Sequence, residues 1–288
     1  MQPDFSSLSI DSSQFKRLPK VIMGMMVYNG EEFIRTALDS LLAQTYDNFE
    51  IIISDNGSTD TSPQIIQEYA ARDPRIRYIQ QSYNLGLIGN FNFVLEQAQQ
   101  TEGEYFMWTA SDDWWAPTFV EKCVSILEKY PNVISVFCHD FTFSHNGGKI
   151  IDKHLPVPAY RTPEQRLATR LLNGENPDLT YGLFRKNMCS KMENIEFNDV
   201  LHCNVTAIKG DLFVINEFLF GKGLKDDDNK LHLVTSDKLD ISSLWPFFKA
   251  NCKLVISNFT GRKRLLLLLL ALRQTMGLYL THGGKDSI

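Results

Sequence analysis

Two adjacent carboxylates, Asp112 and Asp113, follow directly on a short apolar stretch and precede Trp114, Trp115 and a proline. Two neighbouring acids are costly to hold together unless a positive charge lies between them and a ligand. A divalent cation that carries a phosphate fits this need, because Mg²⁺ and Mn²⁺ prefer carboxylate oxygens and keep positions for water and diphosphate. The pair predicts a Mg²⁺ or Mn²⁺ site at Asp113, with Asp112 beside it; the alternative is a surface turn with solvated acids.

Asp55 and Tyr28 are the other candidates, and each follows a different apolar run. A carboxylate at the end of a strand can accept a hydrogen bond from a base N–H or a ribose hydroxyl, although Asp is also common in turns. The ring of Tyr28 offers a face for a nucleobase, although a tyrosine at a strand end is often a packing residue. Neither residue decides the function alone.

The elements that position these residues alternate between apolar runs and amphipathic runs. Strands are predicted at 20–28, 49–54, 75–80 and 104–109, and helices at 31–44, from Asp60 to Arg72 and at 87–99. Alternating strands and helices with short connections predict an α/β fold with a mainly parallel, doubly wound sheet. Ligands of such sheets bind at the carboxyl ends of the strands, so we expect Tyr28, Asn29, Asp55 and the two acids to converge there.

The regular alternation stops in the second half of the chain. We predict a helix to Tyr130, a strand at 133–143, a hairpin turn at 146–148, a helix at 161–173, a strand at 179–184 and a helix at 199–209. Two further helices are predicted after Leu239, the first from about Ser243 and the second with the basic residues 262–264 and the leucine-rich run 265–272. The leucine run is interpreted either as a buried helix or as a helix that rests on an anionic membrane face.

Composition limits the function classes. The 288-residue chain has a net charge of −5, which gives no basic footprint for nucleic acid. Its five cysteines are widely spaced and include no CxxC pair, which predicts reduced thiols and a cytoplasmic protein. Residues 1–18 lack the apolar core of a signal peptide, and no run approaches the roughly 20 apolar residues that span a bilayer. Contact with the inner face of the membrane through the C-terminal helices stays open.

Several segments together resemble the inverting family 2 glycosyltransferases of GT-A fold. They lie in register and in order between residues 20 and 130: Val21–Gly30, Ser40–Tyr46, Phe49–Asp60, Asn84–Gly86 and Gly103–Asp113. By contrast, no GxGxxG follows the first strand, which disfavours a dehydrogenase, and residues 23–30 hold no Gly-rich phosphate loop, which disfavours a sugar nucleotidyltransferase. The resemblance implies transfer of a sugar from a nucleotide-diphosphate donor, most commonly a UDP-sugar.

The resemblance also implies roles for particular residues. It places the base of the donor at Asp55 and Tyr28 with Asn29, the ribose at Asp112 and the metal-diphosphate at Asp113. The loop and helix start that border the donor match Asn84, Gly86 and Asn90. It further implies four segments: a tail at 1–18, a nucleotide-sugar-binding half at 19–130, an acceptor-binding half at 131–225 and a helical C-terminal extension at 226–288.

An inverting transfer needs a general base, which in the family is a carboxylate of the second half. Asp199 at the start of a predicted helix fits this place best, and Glu193, Glu196 and Asp178 are the alternatives. Trp114 and Trp115 are assigned to the acceptor side, as wall or as packing. The expected acceptor is a glycan or a lipid-linked glycan in polysaccharide biosynthesis of the cell envelope. The competing hypothesis is a catalytically inactive protein of this fold that binds a glycan or a nucleotide.

Overall fold

The computed structural model describes residues 18–144, 149–153, 162–173, 180–195, 197–224 and 241–282. The chain divides into two compact units. Unit 1 comprises Met1–Val157, Tyr181–Lys191 and Leu212–Asp226, and unit 2 comprises Pro158–Thr180, Met192–Asp211 and Asp227–Ile288. This division runs through the predicted acceptor-binding half, so the four predicted segments stay a prediction.

Unit 1 holds nine strands and four helices in the described part of the chain. In chain order they are β1 Val21–Val27, α1 Ile34–Leu42, β2 Phe49–Asp55, α2 Ser62–Arg72, β3 Ile76–Gln80, α3 Gly86–Gln99, β4 Tyr105–Ala110, β5 Trp114–Trp115, α4 Phe119–Lys129, β6 Val133–Ser144, β7 Lys149–Lys153, β8 Leu183–Arg185 and β9 Asp211–Leu224, which begins at the boundary with unit 2. A 3₁₀ turn, Lys186–Met188, follows β8.

The strands form one sheet in the order β3-β2-β1-β4-β8-β6-β9-β5, with β7 on β6. The part from β3 to β4 is parallel, because a helix crosses over between successive strands there. The pairs of β8 with β4 and β6, of β7 with β6 and of β5 with β9 are antiparallel. The α/β fold class is confirmed, with the parallel arrangement limited to the first four strands.

The core of unit 1 follows from the apolar runs. Every residue of β1 is buried, as expected of a central strand that is covered by helices on both faces. The helix α1 buries Ile34, Ala37, Leu38 and Leu41 at three- and four-residue spacing, which is one face of a helix. The packed sheet and helices determine where each strand ends, and the loops that carry the candidate site residues begin at these ends.

The described residues of unit 2 form four helices: α5 Pro163–Asn173, α6 Asn198–Lys209, α7 Ile241–Asn258 and α8 Gly261–His282. One apolar cluster joins α5, α7 and α8, and includes Leu167, Val255 and Leu267. A second cluster joins α6 and α7. None of the helices that the structure describes has both the length and the apolar character needed to cross a bilayer.

Three elements differ from the sequence-based expectations. The long strand β9 was not predicted, because its sequence lacks strict alternation and contains two glycines, Gly221 and Gly223. The strand expected at 179–184 is confined to β8, Leu183–Arg185. Helix α7 begins at Ile241, two residues before the expected start, so Pro246 lies inside it. The turn at 146–148 lies outside the described residues, although β6 and β7 pair in the antiparallel way.

Candidate functional site

The sheet register brings the predicted residues to one edge. Val27 pairs with Asp55, and Asp55 pairs in turn with Gln80 of β3. On the other side of β1, Met26 pairs with Ala110 at the end of β4. The loops that begin with Tyr28, Asn56 and Ser111 therefore leave the sheet side by side, at the edge where α/β proteins bind ligands. The predicted convergence is confirmed for these strand ends.

Hydrogen bonds join the loop after β1 to the loop after β2. The backbone N–H of Asn29 donates to the hydroxyl of Ser58 at 2.9 Å, and the side-chain Oδ1 of Asn29 accepts from the N–H of Thr59 at 2.9 Å. The N–H of Gly30 donates to Ser62 at 2.8 Å. Asn29 itself has a positive φ of 50°, a conformation that asparagine tolerates better than most residues. Asn29 thus shapes the turn beside Tyr28.

Asp55 is completely buried at this edge, and both of its carboxylate oxygens accept hydrogen bonds. The N–H of Ser58 donates to Oδ1 at 2.9 Å, and the hydroxyl of Tyr78 donates to Oδ2 at 3.1 Å. Burial, together with the charge of Asp55, raises the pKa of Tyr78, so the phenol keeps its proton. These two hydrogen bonds hold Asp55 in place, and each carboxylate oxygen keeps a second lone pair.

Sequence reasoning missed Tyr78, although a signal for it exists. Asp55 pairs with Gln80, and Tyr78 lies two positions earlier on the same face of β3. A residue two positions from the direct partner is a diagonal neighbour within reach of a long aromatic side chain. The register between β2 and β3 was needed to see this, and a single sequence does not fix that register.

The loop after β2 is also joined to the loop after β3. The side chain of Asn56 donates to Asn84 Oδ1 at 2.8 Å and accepts from the N–H of Leu85 at 2.7 Å. Gly86 has a φ of 75°, which favours glycine, and its N–H donates to Asn84 Oδ1. Asn84 and Gly86 therefore build the turn that leads into α3.

Asn90 has a role inside the sheet. Its side chain is buried, accepts from the Ser54 hydroxyl and donates to the Ser54 carbonyl oxygen at 3.1 Å. Both functional groups of the amide are thus directed at β2. Asn90 borders the edge by fixing Ser54, the residue before Asp55, and does not present its amide to solvent.

Three large exposed side chains belong to the loops and the helix start at the edge where Asp55 lies. Tyr28 is 49% exposed on the loop after β1, and Tyr83 and Leu87 are 67% and 68% exposed on and beside the loop after β3. Large apolar side chains that are exposed together at the edge of a sheet are typical of a ligand platform. An aromatic side chain can stack on a flat ligand ring, and a carboxylate can accept a hydrogen bond from an N–H of that ring.

The two acids after β4 differ in their surroundings. Asp113 is 3% exposed, and its Oδ1 accepts from the backbone N–H of Gly223 in β9 at 3.2 Å. Asp112 is half-buried. Beside them, Trp114 and Trp115 pair with Gly221 and Phe220 of β9. The acids therefore lie where β4 ends and where β5 and β9 hold the loop in place, and Gly223 is a neighbour that the sequence did not indicate.

This arrangement fits a cation that is shared with a bound diphosphate. Among the residues that the structure describes, no group of three His, Cys, Asp or Glu side chains could hold a metal by itself. Mg²⁺ usually binds through one or two carboxylates and completes its shell with water and phosphate oxygens. Two neighbouring carboxylates at a loop are the protein part of such a site.

Trp115 and Trp114 have different environments. Trp115 is completely buried, and its ring lies 5.3 Å from that of Phe220, so it is a packing residue of the core and not an exposed wall. Trp114 is half-buried, with its ring 5.9 Å from that of Phe141. Of the two, only Trp114 keeps a surface that a ligand can contact.

The two described candidates for the general base, Asp199 and Glu193, belong to unit 2. Asp199 belongs to unit 2, in the first turn of α6, where its carboxylate accepts from the N–H of Val200 at 2.8 Å. It is half-buried, whereas Glu193 of the same unit is exposed. Glu196 and Asp178 lie outside the described residues. Phe197, which precedes α6, has a positive φ of 55°, a strained conformation for an aromatic residue that favours a functional constraint nearby.

Gly30 gives a direct test of this packing. A Cβ at Gly30 would lie 2.9 Å from Ser111 Oγ and 3.3 Å from Ser111 Cβ, so alanine must displace the residue next to Asp112. We expect Gly30→Ala to weaken metal-dependent UDP binding about tenfold and to destabilise the fold by about 1–3 kcal/mol through overpacking. Calorimetric titration and thermal unfolding measure the two effects.

Gly103→Ala is the matched control for Gly30→Ala. A Cβ at Gly103 would lie 2.6 Å from Ile22 Cγ1, so the variant is overpacked in the core without displacing Ser111. It should lose stability and keep its affinity for UDP. Removal of the Ser111 hydroxyl in Gly30→Ala/Ser111→Ala should restore part of the affinity. Unchanged binding by Gly30→Ala alone would contradict a site at Ser111 and Asp112.

Comparison with known proteins identifies the family. The model of "Glycosyl transferase family 2" matches residues 23–191, which is more than half of the chain. The putative glycosyltransferase EpsH of Bacillus subtilis is 34% identical over 171 residues, which cover 59% of this chain and 48% of EpsH. The glycosyltransferase GlyA of Streptococcus pneumoniae is 38% identical over 117 residues, which cover 41% of this chain and 16% of GlyA. The chain thus spans less than half the length of these curated relatives.

Solved structures give the same fold. TarS of S. aureus, residues 1–349 in complex with UDP-GlcNAc, aligns with a TM-score of 0.66 and 16% identity over 93% of this chain and 74% of that one. The mannosyltransferase PcManGT from Pyrobaculum calidifontis, in complex with GDP-Man and Mn²⁺, aligns with a TM-score of 0.59 and 14% identity over 95% and 77% of the two chains. The fold is therefore that of the GT-A glycosyltransferases, as predicted, and the chain belongs to glycosyl transferase family 2.

Proposed function

We propose that this glycosyltransferase moves a sugar from a UDP-sugar to a hydroxyl of a glycan or lipid-linked acceptor, with inversion at the anomeric carbon. The observation that carries the proposal is the buried, doubly hydrogen-bonded Asp55 at the same sheet edge as the carboxylates of Asp112 and Asp113. One end of this edge suits a base, and the other suits a diphosphate with its cation. A nucleotide diphosphate has these two parts.

The base of the donor lies at Asp55 in this proposal. A uracil ring presents an N–H that the carboxylate of Asp55 can accept, while the ring of Tyr28 supplies a stacking face. Tyr78 and Ser58 fix the position of the carboxylate, and because Asp55 is completely buried, the residues that cover it must move aside for a base to reach it. The UDP-GlcNAc complex of the structural neighbour TarS supports uridine, and the GDP-Man complex of PcManGT supports the nucleotide-diphospho-sugar class.

The two acids divide their tasks by exposure. We propose that the half-buried Asp112 meets the cation and diphosphate directly, because its carboxylate is the more accessible of the two. Asp113 is buried and bonded to Gly223, so it contributes charge from behind and anchors β9 beside the loop. This division differs from the assignment that the resemblance implied, in which Asp113 holds the metal and Asp112 the ribose.

The cation, when bound, stabilises the negative charge that develops on the departing diphosphate, and the Mn²⁺ complex of PcManGT supports Mn²⁺ or Mg²⁺ in this role. The chain's own residues orient the donor at Asp55 and Asp112. The acceptor oxygen attacks the anomeric carbon on the face opposite to the diphosphate, and the bond from that carbon to the diphosphate oxygen breaks. The acceptor proton passes to a carboxylate, for which we propose Asp199.

A catalytically inactive binding protein is the second candidate. The same donor edge would bind a nucleotide without turnover if no base completed it, and the proposed base, Asp199, belongs to the other unit. An intact set of Asp55, Asp112 and Asp113 favours the enzyme.

We propose that the enzyme acts in the cytoplasm, where nucleotide sugars are made, and in polysaccharide biosynthesis of the cell envelope.

Calorimetric titration with UDP, with and without Mn²⁺, is the first test. We expect binding that strengthens at least tenfold with Mn²⁺, because Asp112 would hold the cation and the cation would supply positive charge to the diphosphate. UDP release from a panel of UDP- and GDP-sugars, measured with and without a hydroxyl acceptor, then identifies the donor. Metal-independent binding would refute the metal-assisted mechanism, and metal-dependent binding without acceptor-stimulated turnover would favour the binding protein.

A further inference from the structure

The two C-terminal helices have an unusual charge distribution. Helix α7 contains Lys249 and Lys253, helix α8 contains four basic residues, and neither helix contains an Asp or a Glu. The whole chain has a net charge of −5. The two helices carry +6, so the charges of the remaining residues sum to −11. A basic helix pair is thus attached to an otherwise acidic chain.

Helix α8 also exposes an apolar stripe, which we define as Leu265, Leu269, Leu272 and Met276. Their exposed fractions range from 45% for Met276 to 61% for Leu265, although leucine and methionine are usually buried. The spacing of four, three and four residues places all four side chains on one side of the helix. At roughly 1.5 Å of rise per residue, the stripe is about 16 Å long.

The opposite side of α8 is the packed side. Leu267 and Ala271 are buried in the apolar cluster of unit 2, and the side chain of Gln274 donates to the carbonyl oxygen of Arg170 at 3.2 Å. The exposed leucines are therefore not a consequence of a loosely placed helix. The apolar run is longer than the helix needs in order to pack against its own unit.

The basic residues of α8 also divide into two that bond to the protein and two that are exposed. Lys263 forms an ion pair with Glu164 at 2.7 Å, and Arg264 donates to the carbonyl oxygens of Phe259 and Ile256 at the end of α7. Arg262 and Arg273 make no ion pair with the described residues and are exposed. On a helical projection, both lie within one quarter-turn of the apolar stripe. Two cations thus flank the exposed apolar side chains.

We propose that this face of α8 docks on an anionic lipid surface, with the stripe among the acyl chains near the headgroups and with Arg262 and Arg273 at the headgroup phosphates. A helix with an apolar face and a basic flank lies in the plane of such a surface. A second copy of the chain fits this face less well, because self-association would bring two surfaces of the same charge together. The acidic remainder of the chain would be repelled, which orients the docked molecule.

The test is cosedimentation of the full chain with vesicles. We expect binding to vesicles that contain phosphatidylglycerol, weak binding to phosphatidylcholine alone and release at high salt. Arg262→Gln/Arg273→Gln should lower the partition coefficient roughly 25-fold, at about fivefold for each basic residue near the surface. Leu269→Gln/Leu272→Gln should lower it at least as much, because two large apolar side chains are lost from the contact.

Two control variants each carry one substitution of the same kind, the first on unit 1 and the second on another helix of unit 2. Arg72→Gln removes an exposed arginine of α2, and Leu172→Gln removes an exposed leucine of α5; both should partition as the unaltered chain does. Thermal unfolding checks that every variant is folded. UDP binding in solution is measured on the same samples, so a failure of docking is distinguished from a failure of the proposed donor site.

Three outcomes would overturn the inference. The first is an absence of binding to the anionic vesicles, and the second is equal binding by the stripe variants and the controls. The third is self-association of the unaltered chain in solution that Leu269→Gln/Leu272→Gln abolishes, which would assign the face to contact between copies. Salt-sensitive binding that only the α8 variants lose would support the proposal.

Discussion

Replacement of Asp112 by asparagine is expected to abolish the Mn²⁺-dependent part of UDP binding and to lower sugar transfer roughly 1,000-fold. The amide keeps the size of the carboxylate but loses the charge that holds a divalent cation. Asp112 is the more accessible of the two acids after β4, so the loss should fall on ligand binding and leave stability unchanged. Titration with UDP at fixed Mn²⁺ and UDP release with the identified donor measure the two quantities.

Asp113→Asn is the matched variant, because it makes the same chemical change at the neighbouring residue. Its amide oxygen can still accept from the N–H of Gly223, so the anchor of β9 is preserved. We expect a loss of about tenfold in metal-dependent affinity, from reduced charge near the cation. If Asp113→Asn abolishes the response to Mn²⁺ while Asp112→Asn keeps it, Asp113 is the metal ligand and the division of tasks proposed above is wrong.

Asp113→Ala separates anchoring from charge. It removes the acceptor of a buried N–H, which costs about 1–3 kcal/mol of folding free energy. The variant should therefore unfold at a lower temperature than Asp113→Asn. The comparison shows how much of any lost activity comes from displacement of β9.

The parallel half of the sheet could be predicted because local sequence and global fold agree there. The apolar run of β1 is buried on both faces, and the residues that follow β1, β2 and β4 lie at one edge because parallel strands end there together. The positions of Tyr28 and Asp55 after apolar runs were therefore enough to predict that they lie at one edge, whereas their roles in binding stay predictions.

Contacts that depend on register or on distant strands could not be predicted. Tyr78 reaches Asp55 only because β2 and β3 pair in one particular register, and Gly223 reaches Asp113 from 110 residues further along the chain. The burial of Trp115 depends on β9, and this strand was not predicted because its sequence contains glycines. A doublet such as Asp112-Asp113 looks symmetric in sequence, and only the packing of β9 against one of the two acids distinguishes them.

The exposed leucines of α8 could be predicted only as a choice between two environments. A continuous apolar run has no polar side that would indicate which residues face the core. The structure decides between the two environments, because Leu267 and Ala271 pack in unit 2 and the residues on the other side of α8 are left exposed. The run is neither wholly buried nor long enough to cross a bilayer in the described chain.

Of the two candidate bases that the structure describes, Asp199 has surroundings that suit a proton acceptor better than those of Glu193. It is half-buried in the first turn of α6, where the helix dipole favours the ionised carboxylate, the form that can accept a proton. His202, one turn further on, is a poor alternative, because burial lowers its pKa to about 4 and encloses the ring. Glu193 is exposed, so nothing excludes water from its carboxylate.

Asp199→Asn should leave UDP and Mn²⁺ binding unchanged and should lower the rate of transfer at saturating donor by about 100-fold or more, the usual scale of general-base catalysis. The amide oxygen can replace the carboxylate as acceptor for the Val200 N–H, so the start of α6 is preserved and the missing function is proton acceptance. The pH profile gives a second readout, since the acidic limb of the transfer rate should disappear with the carboxylate.

Glu193→Gln is the control and should retain transfer. If Asp199→Asn transfers at the full rate while Glu193→Gln does not, Glu193 is the base; if neither variant is impaired, the base lies elsewhere, with Glu196 and Asp178 the next carboxylates to replace.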